Sequence, residues 1–223
     1  SSISEYAWHI TQDALFSNLY IDGTLDLTEN FGGKISLETA YPYDHVVTYK
    51  FAPEKETMYV PLAIRIPAWS ENTKILLNGK PAEYEMKAGY AYISREYGAE
   101  DVITVELDME VKRVYTSSRV AANTGKAALQ RGPLVYCAEG VDNENDVLSL
   151  SLKKDGKITV SEYIPDKLCG IQELYAEGYR EVVSDDLYSY DAPVTRECQI
   201  TLVPYYTWAN RGLNQMRVWL PFI

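Results

Sequence analysis

Apolar and polar residues alternate along this chain with a period of two, and that alternation limits the folds open to it more than any other feature. Ile103, Val105, Leu107, Met109 and Val111 interleave with Thr104, Glu106, Asp108 and Glu110. An extended segment with this pattern has one apolar face and one wet face. The pattern recurs at Leu62, Ile64 and Ile66, at Leu148, Leu150 and Leu152, at Cys198, Ile200 and Leu202, and at Met216, Val218 and Leu220. Turn chemistry separates the runs. Asp22-Gly23 and Asn78-Gly79 are hairpin-type pairs, and Gly32-Gly33, Asp155-Gly156 and Arg211-Gly212 punctuate similarly. No segment carries a helical stripe of about 11 residues or more. Only residues 170–180 (GIQELYAEGYR) read as one or two helical turns.

Many short strands with frequent turns indicate an all-β chain of two consecutive antiparallel β-sandwich domains. One sandwich takes about 100 residues, and the chain has 223. The natural seam follows the long alternating strand that ends near Val111. It gives a first sandwich over 1–112 and a second over 113–223, with the polar, basic stretch 112–126 (KRVYTSSRVAANTGK) as linker.

Charge and hydropathy exclude some partners. The net charge of −11 repels phosphate backbones, so no nucleic acid partner is expected. No apolar run approaches the roughly 18 residues that span a bilayer, so no membrane partner is expected either. The opening residues SSISEYAWHI start abruptly and without Met. They read as a fragment or a processed product, which leaves the compartment open.

The three cysteines, Cys137, Cys169 and Cys198, are too few and too scattered for a disulfide framework. One disulfide or three buried thiols are the alternatives, and the thiols are preferred because free Cys behaves as a small hydrophobe. Cys137 ends the run LQRGPLVYC, a short apolar strand after a Gly-Pro turn. A catalytic thiolate needs a base or a positive neighbourhood, and neither His9 nor His45 lies near it in sequence. Packing is the expected role, and no catalytic residue is assigned. Zinc wants close ligand pairs, which these isolated His and Cys do not form, so no metal ligand is assigned. Asp142-Asn143-Glu144-Asn145-Asp146 resembles the start of a calcium loop, but Val147 and Lys153 stand where Gly and Glu should. An acidic hairpin loop is expected there.

Tyrosine is abundant, with 19 Tyr against 4 Phe. Such rings suit half-exposed sheets, and they also suit stacking on sugar faces. Two aromatic stretches stand out. One is Tyr41-Pro42-Tyr43-Asp44-His45. The other is residues 204–212 (PYYTWANRG), where Tyr205, Tyr206, Trp208, Asn210 and Arg211 combine a stacking surface with hydrogen-bond donors. These five are the candidate carbohydrate-binding residues. The alternative is that the rings cap the open end of a sandwich.

Taken in order, DALFSNLYIDG (13–23), TAYPYDHVV (39–47), LAIRIPAWS (62–70), ILLNGKP (75–81), GYAYISREY (89–97), ALQRGPLVYCAE (128–139) and PYYTWANRG (204–212) resemble the C-terminal β region of glycoside hydrolase family 127, the β-L-arabinofuranosidases. RIPAW followed by LQRGPLVYC is the most specific part. The resemblance implies two β-sandwiches, one of which takes part in a homodimer. It also implies a helical (α/α)6 barrel elsewhere that carries a cysteine nucleophile, a zinc ion and a glutamate acid/base. None of those motifs occurs in this sequence, and Cys137 matches the family's QRGPLVYC strand instead. The expected function is therefore a non-catalytic accessory region, with its own barrel as partner, a homodimer contact, and no cofactor in this chain, zinc being confined to the barrel. The alternative is a carbohydrate-binding module for a plant-type saccharide, using the loop 204–212.

Overall fold

The computed structural model of the chain describes residues 3–182 and 186–223. They form two compact units, Ser1–Met109 and Glu110–Ile223.

In the first unit a short helix α1 (Ile3–Ala7) leads into β1 (Trp8–Ile10), β2 (Leu15–Ser17) and β3 (Gly23–Asp26). A single helical turn α2 (Thr28–Phe31) precedes β4 (Gly33–Thr39), β5 (Val46–Pro53) and β6 (Met58–Arg65). Then come β7 (Lys74–Leu77), β8 (Lys80–Pro81), β9 (Glu85–Lys87), β10 (Tyr90–Tyr97) and β11 (Val102–Glu106). One sheet has the order β1-β2-β6-β10-β9 and the other β3-β4-β5-β11-β7-β8. The pairs are antiparallel except β2 with β6, which run parallel. Leu15, Leu62, Ile64 and Ile93 of the first sheet share one core with Ile35, Leu37, Val47, Ile103 and Val105 of the second. The sandwich expected from the alternation is thus formed. Part of the tyrosine content lies inside it. Fully buried Tyr49 shares a hydrogen bond of 2.9 Å with Ser17, and Tyr97 stacks on Phe51 at 3.9 Å. The Asn78-Gly79 pair makes the β7–β8 hairpin between partners Leu77 and Lys80, with φ of 51° and 76°. Positive φ at both positions is what a two-residue hairpin of the matching twist requires.

In the second unit the strands are β12 (Val111–Tyr115), β13 (Lys126–Arg131), β14 (Leu134–Glu139), β15 (Leu150–Leu152) and β16 (Ile158–Val160). They are followed by β17 (Leu174–Glu181), β18 (Thr195–Pro204), β19 (Met216–Arg217) and β20 (Leu220–Pro221). The ladder runs β12-β13-β14-β18-β17-β15, with β16 on β17, β19 on β14 and β20 on β13. The Gly132-Pro133 turn joins β13 to β14, which then changes partner midway. Val135 faces Gln130 of β13, whereas Tyr136, Cys137 and Ala138 face Pro204, Val203 and Leu202 of β18. Tyr136, Cys137, Ala138 and Glu139 are all fully buried, so β14 is covered on both faces from Tyr136 onward.

Three local readings change. The alternation from Ile103 to Val111 is not one strand. It leaves the ladder after Glu106, Leu107 and Met109 still pack on the first core, and Val111 opens β12. Residues 112–115, read as the start of a linker, pair with β13. β12 is an edge strand, where charged side chains are the usual protection against stray pairing. Residues 170–180, read as helical turns, contain most of β17. Its inward positions are Leu174, Ala176, Gly178 and Arg180, and a small and a charged residue in two of them hid the period of two. Gly178 is small of necessity: a Cβ there would sit 2.5 Å from both the Ile200 side chain and the Ser151 carbonyl oxygen.

Candidate functional site

The loop 204–212 leaves β18 at Pro204 and makes one tight turn. The Thr207 hydroxyl donates to the Pro204 carbonyl at 2.7 Å, and the Trp208 amide donates to the Tyr205 carbonyl at 3.2 Å. The Asn210 side chain donates to the Thr207 carbonyl at 3.0 Å. These bonds are local, and they fix the loop by the residue types that commonly build such turns.

The five candidate residues share this loop but not one role. Tyr205, Tyr206 and Trp208 are exposed, by 45%, 60% and 39%. Asn210 spends its amide on the loop itself. Arg211 points inward, its Nη1 donating to Asp142 Oδ1 at 2.8 Å and its Nη2 to both Asp142 and Glu139. Tyr205 also lines an open groove of about 560 Å³ with Lys126, Val135, Met216, Arg217 and Trp219.

Arg211 belongs to a chain of ion pairs that sequence reasoning missed. Glu139 is fully buried and also accepts from the Ala209 amide at 3.1 Å and from Asn214 at 3.3 Å. Lys167 donates to Asp142 at 3.1 Å and to Glu173 at 2.6 Å, and the Tyr175 hydroxyl donates to Glu173 at 2.9 Å. Burial pushes the carboxyls of Glu139 and Asp142 up, but hydrogen bonds outweigh it. They come from Arg211, Ala209 and Asn214 for Glu139, and from Arg211 and Lys167 for Asp142. Both carboxyls therefore lie below the usual range. Burial likewise opposes charge on Lys167, and its bonds to Glu173 and Asp142 win, raising it. Carboxylates held this firmly in the ionised form are poor general acids. The chemistry of the cluster is that of a clasp. The sequence signal for it was the Glu that closes the apolar run 134–138, where a charge without a partner would be costly.

Cys137 is fully buried, and its thiol is pushed up to about 12, by burial first and by the Glu139 charge second. That suits packing and not nucleophilic attack. All three cysteines are free, but Cys169 is exposed and Cys198 half-buried, so the expectation of three buried thiols holds only at Cys137. Both histidines belong to the first unit. Among the described residues no group of three or more His, Cys, Asp or Glu could hold a metal ion.

Comparison with known proteins places the two units. Residues 14–109 match the model of the β-L-arabinofuranosidase GH127 middle domain, and residues 111–221 match the glycoside hydrolase family 127 C-terminal domain. A non-reducing end β-L-arabinofuranosidase of Bifidobacterium longum subsp. longum is 37% identical, the match covering 86% of this chain and 31% of that protein. The crystal structure of Ara127N-Se, a GH127 β-L-arabinofuranosidase from Geobacillus stearothermophilus T6, superposes with a TM-score of 0.91 at 35% identity. That match covers 100% of this chain and 36% of the other. A GH127 β-arabinofuranosidase, BT3674, gives 0.90 at 28% identity over 100% of this chain and 37% of its own. The chain thus spans about a third of the length of these relatives. With both of its units matched in order, the chain belongs to glycoside hydrolase family 127, of which it carries the middle and C-terminal domains.

Proposed function

We propose that this chain is the non-catalytic accessory region of a glycoside hydrolase. The observation that carries this reading is coverage: the two units match the family's middle and C-terminal domains, yet they span only about a third of the relatives' length. In this reading the catalytic barrel is the chain's partner in the intact protein. One of the sandwiches adds a homodimer contact, and zinc is held by barrel residues outside this chain. The activity of the whole protein is hydrolysis of β-L-arabinofuranosides, by analogy with the relatives named above. The state of Cys137, Glu139 and Asp142 supports the silent role, since the thiol is buried and both carboxylates are clasped.

The test compares this chain with the full-length protein on an aryl β-L-arabinofuranoside. Turnover is expected from the full-length protein alone. Turnover by the isolated chain would overturn the reading. Sedimentation of the full-length protein tests the homodimer.

A second reading keeps the loop 204–212 as a saccharide contact, favoured by the exposure of Tyr205, Tyr206 and Trp208. Asn210 and Arg211 then act as scaffold. Titrating tryptophan fluorescence with arabinose-containing oligosaccharides tests it. A saturable change lost in Trp208→Ala supports a sugar contact, and a flat response removes it.

A further inference from the structure

The other aromatic stretch of the sequence, 41–45, begins at the wall of a pocket. Tyr41 lines an open pocket of about 300 Å³ in the first unit, together with Asn18, Leu19, Tyr20, Ile21 and Arg65. Tyr20 and Tyr41 meet edge to face at 5.3 Å and form an aromatic wall. Most polar groups of the pocket are already spent. The Tyr20 hydroxyl donates to the Arg65 carbonyl. Asn18 accepts from the Tyr90 hydroxyl at 2.9 Å and donates to the Tyr6 carbonyl at 3.3 Å.

Two groups are not spent. The Arg65 side chain is exposed at the end of β6, and among the described residues its guanidinium has no hydrogen-bond or ion-pair partner. The Tyr41 hydroxyl has no partner among them either. The Arg65 charge reaches both phenols: burial raises Tyr20 and Tyr41, and Arg65 opposes that rise in each. A guanidinium fork is shaped for two oxygens of a carboxylate and binds them bidentately. An aromatic wall beside it takes the apolar face of a ring. The volume lies at the lower end of ligand pockets and suits a single sugar ring.

We propose that this pocket binds a uronic acid, with Arg65 gripping the sugar carboxylate and Tyr41 contributing its ring and hydroxyl to the pyranose. A neutral sugar would offer the fork only hydroxyls, which make weaker bonds than a carboxylate. A bare carboxylate would leave the aromatic wall unused. The ligand class is therefore defined by charge and ring together.

Saturation-transfer NMR on the full-length protein and on this chain tests the proposal, with D-galacturonate and D-glucuronate as probes. Galactose, glucose and acetate are the controls. A dissociation constant on the order of 1 mM is expected for at least one uronate, with binding about tenfold weaker for its neutral sugar and for acetate. Arg65→Ala and Arg65→Lys are expected to lose at least about tenfold in affinity, with unchanged melting temperature because the side chain is exposed. Tyr41→Phe should weaken binding by a smaller factor, and Trp208→Ala should leave it unchanged, which separates this pocket from the loop 204–212. Absence of uronate binding to the chain, equal binding of acetate, or binding retained in Arg65→Ala each overturns the proposal. So does binding to the isolated chain that vanishes in the full-length protein, since the pocket would then serve a carboxylate of the protein itself.

Discussion

Arg211 Nη1 donates to Asp142 Oδ1 at 2.8 Å across 69 positions of sequence, while Nη2 of the same guanidinium reaches fully buried Glu139. One cation therefore bridges two carboxylates, with Lys167 as the second cation on Asp142, and ties the loop 204–212 to the end of β14. Removing one partner of such a cluster leaves charge without compensation, which costs about 3–5 kcal/mol. Arg211→Ala is expected to destabilise the second unit by that amount in urea unfolding. Arg211→Lys should recover only part of it, because a point charge cannot fork between Glu139 and Asp142.

The same cluster sets an acid limit. The folded pKa values of Glu139 and Asp142 are depressed, so the unfolded chain binds more protons than the folded one in acid. Their stabilisation is complete above the unfolded carboxylate range of about 4 and falls as pH drops through it towards the folded values. Unfolding midpoints measured from neutral pH downwards should decline below about pH 5. In Arg211→Ala the decline should be shallower. An equal slope in both proteins would mean that other carboxylates dominate.

Thiol chemistry distinguishes the three cysteines. Cys169 is exposed and should react rapidly with an aromatic disulfide reagent in the native protein. Cys137 is buried with its thiol raised to about 12, and Cys198 is half-buried with its thiol raised by burial. The expected result is one fast thiol in buffer and three in denaturant. A fast reaction at Cys137 would contradict its burial in β14.

Two glycines are held by contact. A Cβ on Gly178 would sit 2.5 Å from the Ser151 carbonyl oxygen, and one on Gly33 would sit 2.6 Å from the Ala52 carbonyl oxygen. Neighbouring backbone cannot swing aside as a flexible side chain can. Each Gly→Ala change should cost about 1–3 kcal/mol, the usual range for overpacking. Gly79→Ala meets no atom within 4 Å but has a φ of +76°, so its cost should come from backbone strain alone, about 1–2 kcal/mol. Thermal unfolding of the three variants checks both figures.

Strands were legible in the sequence wherever large apolar residues held alternate positions, as at Leu62–Ile64 in β6 and Ile200–Leu202 in β18. Legibility failed where an inward position carried an unusual residue. Gly178 and Arg180 face inward on β17, the first for lack of room and the second because carbonyls receive it: Arg180 Nη1 donates to Asp146 O at 2.8 Å and Nη2 to Asn143 O at 2.9 Å. Alternation also cannot show where one unit stops, since Leu107, Met109 and Val111 keep the period while the chain passes from one unit to the next. The loop 204–212 was visible by its aromatic content, but the inward turn of Arg211 was not. Its partners Glu139 and Asp142 lie about 70 positions away, and only the fold brings them together.

β14 is paired with β13 at its start and with β18 over Tyr136, Cys137 and Ala138. One six-residue strand thus bridges two neighbourhoods of the same unit, and opening either disturbs the strand they share. The second unit is therefore expected to unfold in a single step. The amides of Tyr136 and Ala138 should then exchange with solvent only through opening of the whole unit, the slowest class of native-state exchange.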